Sequence, residues 1–119
     1  VETVNPDMPA TIDAAMLCKM ADRGQITGGI LDGPLALDNA IDLDAAKIKK
    51  IESPVAGRAD ILVVPDLEAG NMLAKQLEYL AGASGAGLAR GPGRAVLQVI
   101  GLRRTPGVHQ VGALRHLDT

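Results

Sequence analysis

The segment SPVAGRADILVVPDLEAGNML, residues 53–73, decides how this chain is expected to fold. Four consecutive apolar residues, Ile61–Val64, are followed by Pro65-Asp66 and then by a helical pattern that contains Gly70-Asn71. A strand that is apolar on both faces is typical of the interior of a parallel sheet. Open α/β sheets bind anions where such a strand ends and a helix begins, because the helix N-terminus presents unpaired N–H groups. We therefore predict an interior strand here, with a polar site at its carboxyl end.

The rest of the chain alternates between helical and extended patterns, which is typical of a layered α/β domain. Apolar residues recur at helical spacing in three stretches, which predict helices over Pro9–Ala21, Leu43–Ile51 and Leu67–Ala81. The last of these places three leucines on one stripe, namely Leu73, Leu77 and Leu80. Extended patterns predict strands over Gln25–Leu31, Ile61–Pro65 and Ala95–Ile100. Apolar residues at every third position beyond Gly107 indicate a weak terminal helix.

The composition limits the classes of protein to which this chain can belong. Its 119 residues suffice for one domain, but Tyr79 is the only aromatic residue, so the core must be built from aliphatic side chains and is expected to be marginally stable. A formal net charge of −2 gives no electrostatic case for nucleic-acid binding. Cys18 is alone, which excludes a disulfide framework within the chain. No apolar run is long enough for a membrane span and no signal peptide is visible, so we expect a cytoplasmic protein.

Three groups of polar residues are candidates for a binding site, and each also has a purely structural interpretation. Asp66, Gly70 and Asn71 would lie at a helix N-terminus, where Asp66 is as well suited to cap the helix as to orient a neighbour. Asp32 begins an Asp-Gly-Pro turn, and the local sequence favours a turn in which its side chain binds its own backbone. Ser53 precedes proline and small residues, and is either a hydrogen-bond donor to a ligand or part of a rigid connector.

These motifs resemble those of the phosphate acetyltransferase and phosphate butyryltransferase family from about Val4 to Gly87. The resemblance is carried by DGPLALDN at Asp32–Asn39, by SPVAG at Ser53–Gly57 and by the pattern Pro-Asp-x-x-x-Gly-Asn at Pro65–Asn71. Enzymes of this family interconvert an acyl-CoA plus phosphate with an acyl phosphate plus CoA. The resemblance implies an α/β fold of three layers with a mostly parallel sheet, similar to one domain of the isocitrate and isopropylmalate dehydrogenases. The DGPLALDN form favours the butyryl branch, although acetyl transfer is also open.

The resemblance also implies how the site works. Acyl-CoA and phosphate are the substrates, they react directly without an acyl-enzyme, and no cofactor or metal takes part. The family's active site lies between two domains, and a homo-oligomer is expected for a full-length parent. Substrate binding is assigned by motif to seven positions, namely Asp32, Gly33, Asp38, Ser53, Asp66, Gly70 and Asn71.

The resemblance stops after Gly87, which divides the chain into a family-like part, residues 1–87, and a divergent part, residues 88–119. The family has a Ser-Arg pair where this chain reads VIGLRRT, Val99–Thr105, and no motif places Arg103 or Arg104 in its role, so catalytic residues are not assigned. A changed reading frame is one hypothesis for the break, because Gly101–Gln110 is codon-compatible, one nucleotide over, with the family's Asp-Ser…Arg-Leu-Ala-Ser segment. We expect an enzyme fragment that is inactive alone. The alternative is a non-catalytic CoA- or phosphate-binding module, or a degenerate module that associates with itself.

Overall fold

A computed structural model describes residues 1–89 and 96–101 of the chain. The chain divides into two compact units, Val1–Val63 and Val64–Thr119, and each is described by itself. The elements in chain order are four helices and two strands: α1 Pro9–Asp22, α2 Leu37–Ile41, α3 Leu43–Ile48, α4 Leu67–Leu80, β1 Ser84–Ala89 and β2 Val96–Gly101.

Helix α1 confirms the first predicted helix. A proline lies in its first turn, where the missing N–H costs nothing. The buried Thr11 stabilises the same end, because its Oγ1 accepts the N–H of Asn5 at 2.9 Å and donates to the carbonyl of Met8 at 2.8 Å. At the other end, Gly24 has a φ of +73° and donates its N–H to the carbonyl of Ala21, and the helix ends at Asp22, one residue after the predicted end.

The middle of the first unit is built from the two short helices α2 and α3. Asp42 caps α3, since its Oδ1 accepts the N–H groups of Asp44 and Ala45 at 2.8 and 2.9 Å. The predicted helix over Leu43–Ile51 is therefore confirmed in type, but it ends at Ile48, and Lys50 has a left-handed φ of +56°. The buried apolar residues of this region are small, namely Ala40, Ala46 and Ala56, and the polar Asn39 is buried with them.

Two predicted strands are absent from the described residues. The segment Gln25–Leu31 forms turns and bends, with Gly28 at a φ of +91°, so the prediction of a strand there is wrong. Ile61–Val64 is irregular, pairs with no strand and exposes 82% of Val63, so the prediction of a buried interior strand is also wrong for this structure. An apolar run becomes an interior strand only when neighbouring strands supply hydrogen bonds on both sides. The three-layer sheet implied by the resemblance stays a prediction.

The second unit combines α4 with an antiparallel hairpin. Helix α4 confirms the predicted helix, with Leu73 and Leu77 half-buried, whereas Leu80 is 84% exposed and does not belong to the packed stripe. Strand β2 confirms the predicted strand to within one residue at each end. It pairs with β1 in the register Ser84 to Gly101, and α4 contacts both strands. The helix predicted beyond Gly107 lies outside the described residues.

Candidate functional site

The Asp-Gly-Pro turn of the first unit is held against α1. The exposed Asp32 accepts the N–H of Gly33 through its Oδ1 at 2.9 Å, and the thiol of Cys18 donates to the carbonyl of Gly33 at 3.7 Å. A Cβ on Gly33 would lie 3.2 Å from the Cβ of Ala14, so glycine permits the close approach of the turn to the helix. Asp32 thus makes the local hydrogen bond that its sequence favours. The substrate-binding roles of Asp32 and Gly33 stay predictions.

Asp38 and Asn39 are adjacent on α2 but differ completely in environment. Asp38 is exposed in the first turn, and its carbonyl accepts the N–H of Asp42 at 2.8 Å. Asn39 is 0% exposed, and within the described part of the chain neither its Oδ1 nor its Nδ2 has a hydrogen-bond partner. Asn39 was not among the predicted site residues, because its burial is invisible in the sequence. Its only signal was its place inside the DGPLALDN motif.

The loop Ser53–Gly57 lies beside α2. Ser53 orders the loop itself, because its Oγ accepts the N–H groups of Val55 and Ala56 at 3.0 Å each. Gly57 donates its N–H to the carbonyl of Asn39 at 2.8 Å. The structure therefore brings the Ser53 loop and the Asp38-Asn39 pair together. The Ser53 Oγ accepts both local hydrogen bonds, so its O–H remains a donor that can be directed at another group.

At the start of the second unit, Asp66 and Gly70 each have a structural role. Asp66 caps α4 by accepting the N–H of Ala69 at 2.7 Å, which is the alternative that the sequence left open. A Cβ on Gly70 would lie 2.8 Å from Cγ2 of Val64, so the glycine leaves room for that side chain against the helix. The group that approaches Gly70 closely is thus Val64. A ligand role for either residue stays a prediction.

Replacing Asp66 tests its capping role. Asp66→Ala is expected to lower the free energy of unfolding by about 1 kcal/mol, because one N–H of the first turn loses its acceptor. Asp66→Asn keeps a side-chain oxygen at the cap and should remain within a few tenths of a kcal/mol of the unmodified chain. Urea denaturation followed by circular dichroism measures both. Equal stability of the two variants would contradict the cap.

Asn71 is the predicted site residue of the second unit that faces an open groove. The groove runs along the exposed face of α4, and its lining consists of Glu68, Asn71, Met72, Lys75, Gln76, Tyr79 and Leu80. Lys75 lies one turn after Asn71, with its Nζ 3.5 Å from Oε2 of Glu78 and 5.4 Å from the centre of the Tyr79 ring. Lys75 supplies positive charge beside an amide donor, and sequence reasoning missed it. The i, i+4 spacing from Asn71 was the signal that could have found it.

The predicted substrate-binding residues fall into both units. Asp32, Gly33, Asp38 and Ser53 belong to the first unit, and Asp66, Gly70 and Asn71 belong to the second. Arg103 and Arg104, considered as substitutes for the Ser-Arg pair, lie outside the described residues. In residues 1–89 and 96–101, no helix is both long and apolar enough to span a bilayer. Over the same ranges, no three His, Cys, Asp or Glu side chains are grouped as metal ligands.

Cys18 is protected from ionisation. Burial raises the pKa of the Cys18 thiol above its usual value, and the nearby carboxylates of Asp32 and Asp22 raise it further. A raised pKa leaves less thiolate at neutral pH, and the thiolate is the reactive form. The structure therefore favours an inert, structural thiol.

The charge of Asp32 can be tested through the reactivity of Cys18. Asp32→Asn removes one negative charge, so the pKa of the thiol should fall and its reaction with a disulfide reagent at pH 7 should become faster. The rate difference should vanish above the pKa values of both thiols, where each is fully ionised. Asp60→Asn, an exposed acid of the same unit, serves as the control and should leave the rate unchanged. A rate that Asp32→Asn does not alter would contradict the electrostatic contact.

Comparison with known proteins shows the family to which this sequence belongs. The family model described as Phosphate acetyl/butaryl transferase matches residues 1–92. Phosphate acetyltransferase of Rhizobium meliloti is 70% identical over 91 residues, which cover 76% of this chain and 29% of that protein. Phosphate acetyltransferase of Thermotoga maritima is 59% identical over 86 residues, covering 72% of this chain and 29% of that protein.

A relative named for a different acyl group matches as well. Phosphate butyryltransferase of Clostridium acetobutylicum is 48% identical over 97 residues, which cover 82% of this chain and 32% of that protein. The chain thus spans less than a third of the length of these relatives. The matched region contains all seven predicted substrate-binding residues, together with Asn39 and Lys75. On this evidence the chain belongs to the phosphate acetyltransferase and phosphate butyryltransferase family of transferases.

Proposed function

We propose that this chain is part of a phosphate acyltransferase that acts on a short acyl-CoA. In the reaction, a phosphate oxygen forms a bond to the thioester carbonyl carbon, the carbon–sulfur bond breaks, and the sulfur leaves as the CoA thiolate, which takes up a proton. The reverse reaction converts an acyl phosphate and CoA into acyl-CoA and phosphate. Relatives named for acetyl and for butyryl transfer both match, so both acyl groups are candidates.

The observation that carries this proposal is the family match over residues 1–92. The described side chains add groups of the right chemistry. On the α4 groove, Asn71 offers an amide donor and Lys75 offers a positive charge, which Glu78 partly balances, for a phosphate group. In the first unit, Ser53 has an O–H available to donate. Holding two polyanionic substrates in reacting geometry is the main task of such a site.

Direct transfer between the two substrates is the mechanism that we propose. An acyl-enzyme on sulfur would need a reactive thiol, and within these 119 residues the only candidate is Cys18. Its pKa is raised by burial and its thiol donates to the carbonyl of Gly33, so it is poorly suited to attack a thioester. Cys18 is therefore not the acyl acceptor that we propose, and the direct route is the one that the family resemblance implies.

The test is an assay of thiol release from acetyl-CoA and from butyryl-CoA in the presence of phosphate. It uses an intact protein that contains residues 1–92 followed by a sequence in the family's reading frame. Turnover with either substrate is expected, and its absence with both would remove the proposal. Lys75→Ala should raise the KM for phosphate, whereas Lys47→Ala should not, because both lysines pair with an acid three residues away but only Lys75 lines the groove.

A non-catalytic module is the second candidate for the chain as given. It is favoured by the exposure of large apolar side chains, including Val63 at 82%, Leu67 at 74% and Leu80 at 84%. Such a module would bind CoA or phosphate without turnover, or associate with itself. Calorimetry with CoA separates the two forms of this candidate. A dissociation constant below about 1 mM favours a retained binding site, and weaker binding favours self-association alone.

A further inference from the structure

Asn39 is the most unusual side chain of the first unit. It is 0% exposed, and among the described residues nothing pairs with its Oδ1 or its Nδ2, each of which exposes less than 1 Å². A buried amide without partners lowers stability, and native proteins seldom keep one without a compensating role. A leucine of similar size would fill the same space without that cost. The presence of a polar side chain at this position therefore points to a hydrogen-bond partner that the Asn39 amide meets in a different conformation of the chain.

The loop Ser53–Gly57 is hydrogen-bonded to the backbone of Asn39 itself. Gly57 donates to the carbonyl of Asn39 at 2.8 Å and Ala59 donates to the carbonyl of Ala40 at 3.0 Å, so two backbone hydrogen bonds hold the two segments together. Ala56 and Gly57 are buried in the same contact region. If these two hydrogen bonds separate, the loop moves off α2 and the amide becomes accessible.

The surroundings of Asn39 select the chemistry of its partner. Asp38 precedes it and Asp42 follows three residues later, and both are exposed acids that disfavour an approaching anion. A carboxamide has a donor and an acceptor side by side, which matches the carbonyl and N–H of a secondary amide. A neutral amide therefore suits this position better than a phosphate does.

We propose that Asn39 is a further substrate-contacting residue, which binds a secondary amide of the pantetheine arm of acyl-CoA when the Ser53–Gly57 loop moves away from α2. The proposal rests on the proposed function, since it takes its ligand from that reaction. It assigns the neutral arm of CoA to the first unit. Asn71 and Lys75, which we propose to bind phosphate, belong to the other unit.

The experiment compares Asn39→Leu with the unmodified 119-residue chain, using pantetheine and inorganic phosphate as separate probes. Asn39→Leu should raise the midpoint of thermal unfolding, because the unpaired buried amide is gone. It should weaken pantetheine binding by about tenfold or more, the loss of roughly two neutral hydrogen bonds. Phosphate binding should not change. Gln25→Leu is the matched control, since it removes an exposed amide of the same unit and should leave pantetheine binding unaltered.

Hydrogen exchange of the unmodified chain gives a second measurement that needs no variant. Bound pantetheine should speed the exchange of the Gly57 and Ala59 N–H groups, because their hydrogen bonds to α2 separate when the loop moves. Slower or equal exchange would overturn the loop movement. If the Asn39→Leu chain does not fold, this measurement still tests whether the loop moves when pantetheine binds.

Three other outcomes would overturn the inference. A lower unfolding midpoint for Asn39→Leu would show that the amide is already hydrogen-bonded in the free protein. Equal pantetheine affinity of the two chains would show that Asn39 does not touch the ligand. An unmodified chain that binds no pantetheine would also remove the inference. None of these results decides the proposed function, which depends on thiol release by the intact protein.

Discussion

Purified as these 119 residues alone, the chain is expected to release CoA thiol from acyl-CoA and phosphate at least about 1,000-fold more slowly than an intact relative. The resemblance places the family's active site between two domains and a Ser-Arg pair in it, and this sequence has no such pair where the family has it. Loss of one positioned oxyanion donor costs about 100- to 1,000-fold, and loss of the positioning of two substrates costs more.

The measurement is a thiol-detecting assay with acetyl-CoA or butyryl-CoA and phosphate. Intact phosphate acetyltransferase of Thermotoga maritima, assayed at the same concentration, is the positive control. A chain that turns over within about tenfold of that enzyme would overturn the argument, because the donor and the second domain would then contribute far less than such groups normally do.

The largest expected effect on stability is that of Gly57→Ala. Gly57 has a φ of +79°, and an added Cβ would lie 2.6 Å from the Cα of Leu43 and 2.9 Å from its N. Both atoms belong to the backbone of α3, so the contact is relieved only if the loop or the helix moves. Left-handed strain and overpacking together should lower the free energy of unfolding by about 3 kcal/mol or more.

Gly24→Ala is the matched control for Gly57→Ala. Gly24 lies in the same unit at a similar φ of +73°, but an added Cβ would meet no atom within 4 Å. It should therefore show only the backbone strain, about 1–2 kcal/mol. Urea denaturation of both variants separates the two contributions. Equal losses would mean that the contact with Leu43 is absent in solution.

Helices α1 and α4 were predictable because their signals are local, whereas the short helix α2 was not predicted. Pro9 and Gly24 mark the ends of α1, and Asp66 begins α4 with a side-chain oxygen placed for a cap. These signals act within one turn of the helix, so the sequence carries nearly all of the information. Leu80 was assigned to the packed stripe because periodicity does not say how far along a helix its neighbours extend.

The strands were less predictable because pairing is not local. Ile61–Val64 has the composition of an interior strand, but no described strand pairs with it. Strand β2 was predicted, whereas its partner β1 passes through a glycine-rich segment whose composition is typical of loops. Composition gives the propensity of a segment, and only the neighbouring chain decides whether its hydrogen bonds are satisfied.

The motifs of the candidate site could be predicted from the sequence. The burial and the neighbours of its side chains could not. Asp32, Ser53 and Asp66 all use side-chain oxygens to bind nearby backbone, as their residue types favour. Asn39 and Lys75 were missed, because one is distinguished by its burial and the other by a groove along a helix face. Such properties arise from tertiary packing.

The exposed segment Ile61–Val64 also bears on how the chain avoids aggregation. Segments of roughly five to seven residues with high β-propensity, low charge and no proline are prone to cross-β assembly. Here Asp60 places a charge directly before the four apolar residues, and Pro65 ends them with a residue that has no N–H to donate. These flanking residues limit the exposed apolar segment to four residues, which is too short for cross-β pairing with other copies of the chain.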